Sequence, residues 1–334
     1  IFNPLWAAIY LLLLIITMFI KSIGIAYHTI KGHGRLTGAQ HIDWHERLLQ
    51  LESPKKSYAL IAGVKSSGFA YEEHQENLRL ISAAQAGEYP KPSELFQAVI
   101  IAAYNEAYDV IQPTVESVKN TTYNNKQIIL YIAYEERGGK EIEATVKRLQ
   151  KEYEGVFYTF QVVKHPKDLP DEVVGKGPNI TFTAYQLQLW CDEQNIPYRN
   201  VVVTTLDSDN RPYPTYFDYV AYEYIVQPDR KHLSYQPVAL YFGNIWDAPA
   251  PMRVIATGNS FWTIISSMRP HTLRNFAAHS QPLDALSEMD FWSKRSIVED
   301  GHQYWRSYFY FGGNYSVLPI HVPIYQDAVM ADTY

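Results

Sequence analysis

The first twenty residues carry no charged side chain, and the run from Leu5 to Ile20, LWAAIYLLLLIITMFI, is apolar almost without a break. Apolar character resumes after Lys21 as SIGIAY, so the stretch from Leu5 to Tyr27 meets the roughly 20 residues that a helix needs to cross a bilayer core. A helix that is apolar all round belongs in a membrane or in a protein core. Length and unbroken apolarity favour the membrane, with a buried core helix as the alternative. A cleaved leader fits less well, because no basic segment precedes the run and no small-residue cleavage site follows it. Lys21 can snorkel to the headgroups. Lys21, Lys31 and Arg35 follow the run and no charge precedes it, so the positive-inside rule places the rest of the chain in the cytoplasm. The sequence opens at Ile1 rather than Met, which suggests a piece of a longer protein.

The segment KGHGRLTG (31–38) reads as a flexible exit from the membrane. Trp44, Leu48 and Leu51 then fall on one face of a short amphipathic helix. That face can lie on the membrane surface or against the protein. Residues 71–86 read as a further helix. The composition, 47% hydrophobic and 19% charged over 334 residues, excludes general disorder. A net charge of −6 without a basic tract argues against nucleic acid as a partner. The one cysteine, Cys191, rules out a disulfide within the chain and a cysteine-based zinc site. The 27 tyrosines suit sugar-binding surfaces and membrane interfaces alike.

From about Glu94 the pattern changes. AVIIAAY (98–104), QIILYIAY (127–134), VFYTFQVV (156–163) and VVVTTLD (201–207) read as buried strands, separated by helices up to Lys119, over 140–153 and over 179–194. This alternation predicts an α/β fold with a helix-flanked, mostly parallel sheet. Beyond about 232 the pattern is less regular and more aromatic.

Such sheets bind ligands at the carboxyl ends of their strands. Four polar groups fall at strand ends or later: Tyr104-Asn105-Glu106, Glu135-Glu136-Arg137, Asp207-Ser208-Asp209 and Glu299-Asp300. Asp207 and Asp209 form a hard-oxygen pair suited to Mg²⁺ or Mn²⁺ holding a diphosphate. Glu299-Asp300 suits a general base or merely an acidic helix start. Gly175-Lys176-Gly177-Pro178-Asn179 resembles a phosphate-binding turn before a helix, without the spacing of a P-loop. No H-E-x-x-H or G-x-S-x-G motif occurs, which removes two common hydrolase signatures.

In this order the motifs resemble the family 2 glycosyltransferases of GT-A fold, and especially their membrane-bound polysaccharide-synthase branch. The resemblance covers about residues 95–334. It rests on Asn105-Glu106, on Gly175-Lys176 with Asn179, on Asp207-Ser208-Asp209, and on Glu299-Asp300 with Arg306 and Gly312 beyond. It implies a membrane helix (1–30), a juxtamembrane helical linker (31–93) and a catalytic domain (94–334) with a nucleotide-sugar half to about 230. It further implies an inverting hexosyl transfer from a nucleotide-diphosphate sugar, most often a UDP-sugar, to a glycan or lipid-linked acceptor. Tyr104, Glu106, Lys176, Asn179 and Asp207 would serve the donor. Asp209, with Asp207, would ligate Mg²⁺ or Mn²⁺, and Asp300 beside Glu299 would be the base. Two departures stand out. The second strand ends in Glu135-Glu136, where the family has aspartate, so either glutamate can read the base. The family's Q-x-x-R-W segment is missing, which suggests a chain cut short near Tyr334. A nucleotidyltransferase, or a non-catalytic sugar-nucleotide-binding or scaffold protein, are the competing readings. The orientation is testable: in sealed inside-out vesicles added protease should digest the region from about 94 onward, and its protection would reverse the assignment.

Overall fold

The computed structural model describes residues 3–85 and 87–330. It opens with helix α1 (Pro4–Gln40), followed by α2 (Trp44–Gln50), α3 (Pro54–Ile61) and α4 (Tyr71–Ala83). Strands and helices then alternate as β1 (Phe96–Ala103), α5 (Tyr108–Lys119), β2 (Ile128–Glu135), α6 (Gly139–Glu152), β3 (Thr159–His165), α7 (Lys176–Glu193) and β4 (Val201–Asp207). The rest comprises the short β5 (Arg211–Pro212), α8 (Tyr216–Val226), β6 (Leu233–Leu240), α9 (Ala250–Ser267), β7 (His279–Pro282), α10 (Leu283–Glu288), α11 (Glu299–Tyr310) and β8 (Ser316–Tyr325).

The strands form one sheet in the order β3-β2-β1-β4-β7-β6-β8-β5. The β3-β2-β1-β4 portion is parallel throughout. Strand β7 runs antiparallel to both β4 and β6, and so joins the irregular second half to the first. Both faces of the parallel portion are covered, which is why its strands read as continuous apolar runs. Val99, Ile101, Leu130 and Ile132 face Val115 of α5 and Val146 of α6. The alternate residues Ala98, Ile100, Ile129 and Tyr131 face Ile180 and Leu187 of α7. All eight residues of β2 are buried.

Helix α1 is long and apolar enough to cross a membrane, with a mean hydropathy of 2.3 in its most apolar window, none of which is buried against the protein. The KGHGRLTG stretch is not a flexible exit: α1 continues through it to Gln40 without interruption. Glycine weakens an isolated helix, but here it permits a contact that overrides propensity. A Cβ on Gly32 would lie 2.7 Å from Ile264 Cγ2 and 3.0 Å from the Ile264 carbonyl oxygen, so α1 and α9 meet where no side chain intervenes.

The Trp44 face of α2 is turned to the protein and not to a membrane surface. Trp44, Leu48 and Leu51 are buried, and the Trp44 ring stacks on Tyr219 of α8 at 3.6 Å between centroids. Its indole N–H donates to the Ala39 carbonyl at 2.9 Å. His41 and His45, four residues apart, do not form a joint site: His41 ends α1, while His45 pairs with buried Asp218 at 2.8 Å. Trp44→Ala should lower stability by about 3–5 kcal/mol, the usual cost of emptying a buried tryptophan site, measured by equilibrium urea unfolding in mild detergent.

Candidate active site

Parallel pairing in register places the ends of β1, β2 and β4 side by side. Ala102 of β1 stands opposite Asp207 of β4, and Ala103 opposite Tyr134 of β2. The residues just beyond therefore converge. Tyr104, Glu106, Glu135, Lys176, Asn179, Asp207 and Asp209 line one open cleft of ≈ 400 Å³ with Ala102, Ala103 and Ser208. That size suits a small-molecule ligand. Of the two glutamates that end β2, Glu135 lines the cleft, where Arg137 pairs with it. Glu136 is turned away and exposed, accepting the Lys167 backbone N–H at 3.1 Å.

Lys176, the first residue of α7, is the electrostatic centre. Its ammonium lies 2.7 Å from Asp207 and 3.8 Å from Glu299. Burial works against the charged ammonium, but Asp207 and Glu299 outweigh it and hold the Lys176 pKa above its ordinary value. Glu299 is buried, and burial pushes its carboxyl pKa up against the pull of Lys176. Close approach of α7 to α11 makes this pairing possible. A Cβ on Gly177 would sit 2.5 Å from the Ser293 carbonyl oxygen and 3.1 Å from Glu299 Cβ.

Asn179 is buried and spans two strands. Its Nδ2 donates to the Ala133 carbonyl at 2.9 Å and the Ala103 carbonyl at 3.4 Å, while its Oδ1 has no partner among the described residues. Glu106 accepts the Tyr104 backbone N–H at 2.7 Å, and Arg137 lies over the Tyr104 ring. Asp209 accepts from the Asp327 backbone N–H at 3.1 Å and from Asn210 Nδ2 at 3.0 Å. Burial raises its pKa.

Asp300 is not among the residues that line the cleft. It sits in the first turn of α11, where its Oδ2 accepts the Ala277 N–H at 2.8 Å and its Oδ1 the Gly301 N–H at 2.6 Å. Two of a carboxylate's roughly four lone-pair positions remain free in that arrangement. Sequence reasoning did not single out three neighbours of this centre. His279 is buried against Lys176 and Asp300, and Trp292 Nε1 donates to its Nε2 at 3.3 Å while Nδ1 faces the Ala277 carbonyl at 3.3 Å. Tyr241, after β6, feels the charges of Asp207, Asp209 and Asp300. Asp327, after β8, binds Asp209 through its backbone and Arg211 through its side chain at 3.3 Å. No spacing signal marks them, since they reach the site only through β6, β7 and β8.

Among the described residues no group of three His, Cys, Asp or Glu closes a metal cage made of protein alone. Mg²⁺ is usually held by one or two carboxylates plus substrate phosphates and water. Asp207 and Asp209 at one strand end fit that mode, with Lys176 already salt-bridged to Asp207.

No protein-family model matches this sequence, and no curated protein matches it. Among solved structures the chain is similar to a mannosyltransferase from Pyrobaculum calidifontis in complex with GDP-Man and Mn²⁺, with TM-score 0.50 and 13% identity over 93% of this chain and 70% of that one. It is also similar to S. aureus TarS, at TM-score 0.45 and 12% identity over 70% of this chain and 37% of that one. A third is glucosyl-3-phosphoglycerate synthase from Mycobacterium tuberculosis in complex with Mn²⁺, UDP and phosphoglyceric acid, at TM-score 0.43 and 11% identity over 72% of each chain. The first likeness establishes the fold: it is the GT-A type of glycosyltransferase fold, a helix-flanked, mostly parallel sheet preceded by one long apolar helix.

Burial lowers the His279 pKa from 6.5 to about 4, with Lys176 adding to the effect. The folded state then binds fewer protons than the unfolded chain between these values, so this contribution is complete above pH 6.5 and is lost as pH falls towards 4. Its full loss amounts to about 3 kcal/mol. His279→Gln should shrink the acid-side fall in stability by about that amount, read from urea unfolding at a series of pH values.

Proposed function

We propose that this chain is a membrane-tethered glycosyltransferase that moves a sugar, with inversion, from a nucleoside-diphosphate donor to a hydroxyl of a glycan or lipid-linked acceptor. The observation that carries this reading is the meeting of Asp207, Asp209 and Lys176 in one cleft with Glu106 and Glu135. A cation-holding pair and a half-buried ammonium suit a diphosphate. The two glutamates, at the ends of adjacent strands, suit the hydroxyls and N–H groups of a nucleoside.

In this reading Asp207 and Asp209 hold Mg²⁺ or Mn²⁺. When bound, the cation neutralises charge that builds on the departing diphosphate. Lys176 adds a second positive charge on the leaving-group side. Glu135 takes the role left open between it and Glu136, because it faces the cleft. UDP is the expected nucleotide from the family resemblance. Asn179 serves the donor site indirectly, by tying the ends of β1 and β2 together. Asp300 takes the proton of the acceptor hydroxyl as the new bond forms. A carboxylate is a weak base, but the hydroxyl acidifies as it attacks. The two backbone N–H groups that bind Asp300 orient it. Helix α1 spans the bilayer, with the sheet domain on the cytoplasmic side.

Donor binding and catalysis separate under mutation. Calorimetric titration of UDP and GDP should show Mn²⁺-dependent binding that Asp209→Ala abolishes, and equal binding in EDTA would sink the metal assignment. Asp300→Asn should leave the donor Kd nearly unchanged and lower kcat by roughly 10²-fold or more. Asparagine has one acceptor oxygen where Asp300 uses two, so the melting temperature is measured in parallel. A lower Tm with kcat preserved would make Asp300 a structural tie and not a base.

A further inference from the structure

Helix α9 has an outer face that water does not explain. Val254, Ile255, Phe261 and Trp262 are exposed at 73%, 56%, 48% and 56%, and Trp246 in the preceding loop at 82%. The helical positions follow i, i+1, i+7, i+8, which is a single face. The sequence of α9, APMRVIATGNSFWTIISS, holds one charged residue, Arg253, and Arg253 is turned back to the Ala248 carbonyl at 2.7 Å. The opposite face packs on the sheet: Thr263 Oγ1 donates to the Ala239 carbonyl at 2.7 Å, and Ile264 joins Val238 and Leu240 in a buried cluster. A surface helix of a water-soluble domain reverses this pattern, with its outer face charged.

Two observations identify what covers this face. First, α9 is continuous with α1: Gly32 lies against Ile264 and Met268, just beyond the apolar stretch that ends near Tyr27. Five residues of helix separate Tyr27 from Gly32, about 7–8 Å along the axis, so the α1–α9 contact falls at headgroup depth when α1 spans. Second, the flanks are basic. Lys31 and Arg35 on α1 are exposed, and Arg269 and Arg274 follow α9. In the sequence, the acid nearest to α9 is Asp247, before the helix. An apolar face with tryptophan, rimmed by Lys and Arg, is the pattern of a helix lying in the bilayer interface.

We propose that α9 is a second membrane element, lying in the cytoplasmic headgroup region with Val254, Ile255, Phe261 and Trp262 towards the acyl chains. This rests on the reading of α1 as a span. It also carries a consequence for the reaction. Ser260 of α9 accepts the Tyr241 backbone N–H at 3.0 Å, and Tyr241 feels the site carboxylates. Trp262 packs edge-on against Phe276 at 5.5 Å, next to the Ala277 N–H that binds Asp300. The bilayer-facing helix thus backs the acceptor side of the cleft, which suits an acceptor hydroxyl presented at the membrane surface.

The test uses the full chain reconstituted in vesicles of phosphatidylcholine with one quarter phosphatidylglycerol. Cys191 is buried, so a fluorophore can be placed selectively at Ile255→Cys, with Leu13→Cys in α1 and Lys147→Cys on α6 as references. Quenching by nitroxide-labelled lipids and by aqueous iodide is measured at each site. The expected result is lipid-phase quenching at Leu13 and at Ile255, the latter with a nitroxide set about 5–10 Å below the headgroup boundary, and iodide quenching at Lys147. Lipid quenching at Leu13 with iodide quenching at Ile255 overturns the α9 assignment and leaves the anchor standing. Iodide quenching at both sites overturns the anchor and α9 together. An Ile255 label shielded from both quenchers means a protein contact, such as a second copy of the chain, and also overturns the proposal. Val254→Glu supplies an independent readout: Val254 is 73% exposed, so the change should reduce lipid quenching at Ile255 at least severalfold without lowering the melting temperature. Unchanged quenching in that variant counts against the proposal.

Discussion

One half-buried ammonium holds the site together. Lys176 stands between Asp207, at the end of β4, and Glu299, at the start of α11. Those two residues are 92 apart in the chain, and each comes from a different layer of the fold. Carboxylates crowded into one cleft repel one another and lose hydration. A cation among them lets Glu299 remain buried with a partner and keeps the end of β4 in place. Burial keeps the His279 imidazole neutral, with the same ammonium adding to the effect, and its Nε2 accepts from Trp292. Burial and the charge on Lys176 therefore act together on Glu299 and His279.

That arrangement depends on the continuity of the sheet. Strand β7 joins the parallel portion to the strands that follow by pairing with β4 and β6. A side-chain contact reinforces the seam: Thr204 and Ser280 hydroxyls lie 2.7 Å apart, and Tyr216 reaches Ser280 at 2.9 Å. The two portions of the sheet thus share one hydrogen-bonded frame. Small errors in that frame would be felt at the cleft, because Asp209 is bound by the backbone of Asp327, after the last strand.

Where the structure departs from the sequence reading, long-range packing is the cause. Glycines at 32, 34 and 38 suggested a flexible exit, but Gly32 is where α1 meets α9. The amphipathic face of α2 was compatible with a membrane or a protein surface, and stacking of Trp44 on Tyr219 settles it. Adjacent glutamates at the end of β2 are equivalent in a sequence. Glu135 is the last residue of the strand while Glu136 begins a 3-10 turn, and only Glu135 meets the cleft. Glu299 and Asp300 both stand in the first turn of α11, where the acidic helix start was read, and Glu299 is paired with Lys176 across the fold.

The sequence by itself determined the features that depend on neighbours in the chain. Apolar runs of strand length between amphipathic helices specify a doubly covered parallel sheet, and hence a set of polar residues gathered at one edge. An uncharged run of this length specifies a helix long and apolar enough to cross a bilayer. The tertiary structure decided what depends on residues far apart. It placed Glu299 beside Lys176, His279 beneath them, Asp327 against Asp209, and Gly32 against Ile264. Periodicity reports which face of an element is apolar, but not which element covers it. That choice belongs to close packing and to the pairing of buried charges, which act only once the whole chain has folded.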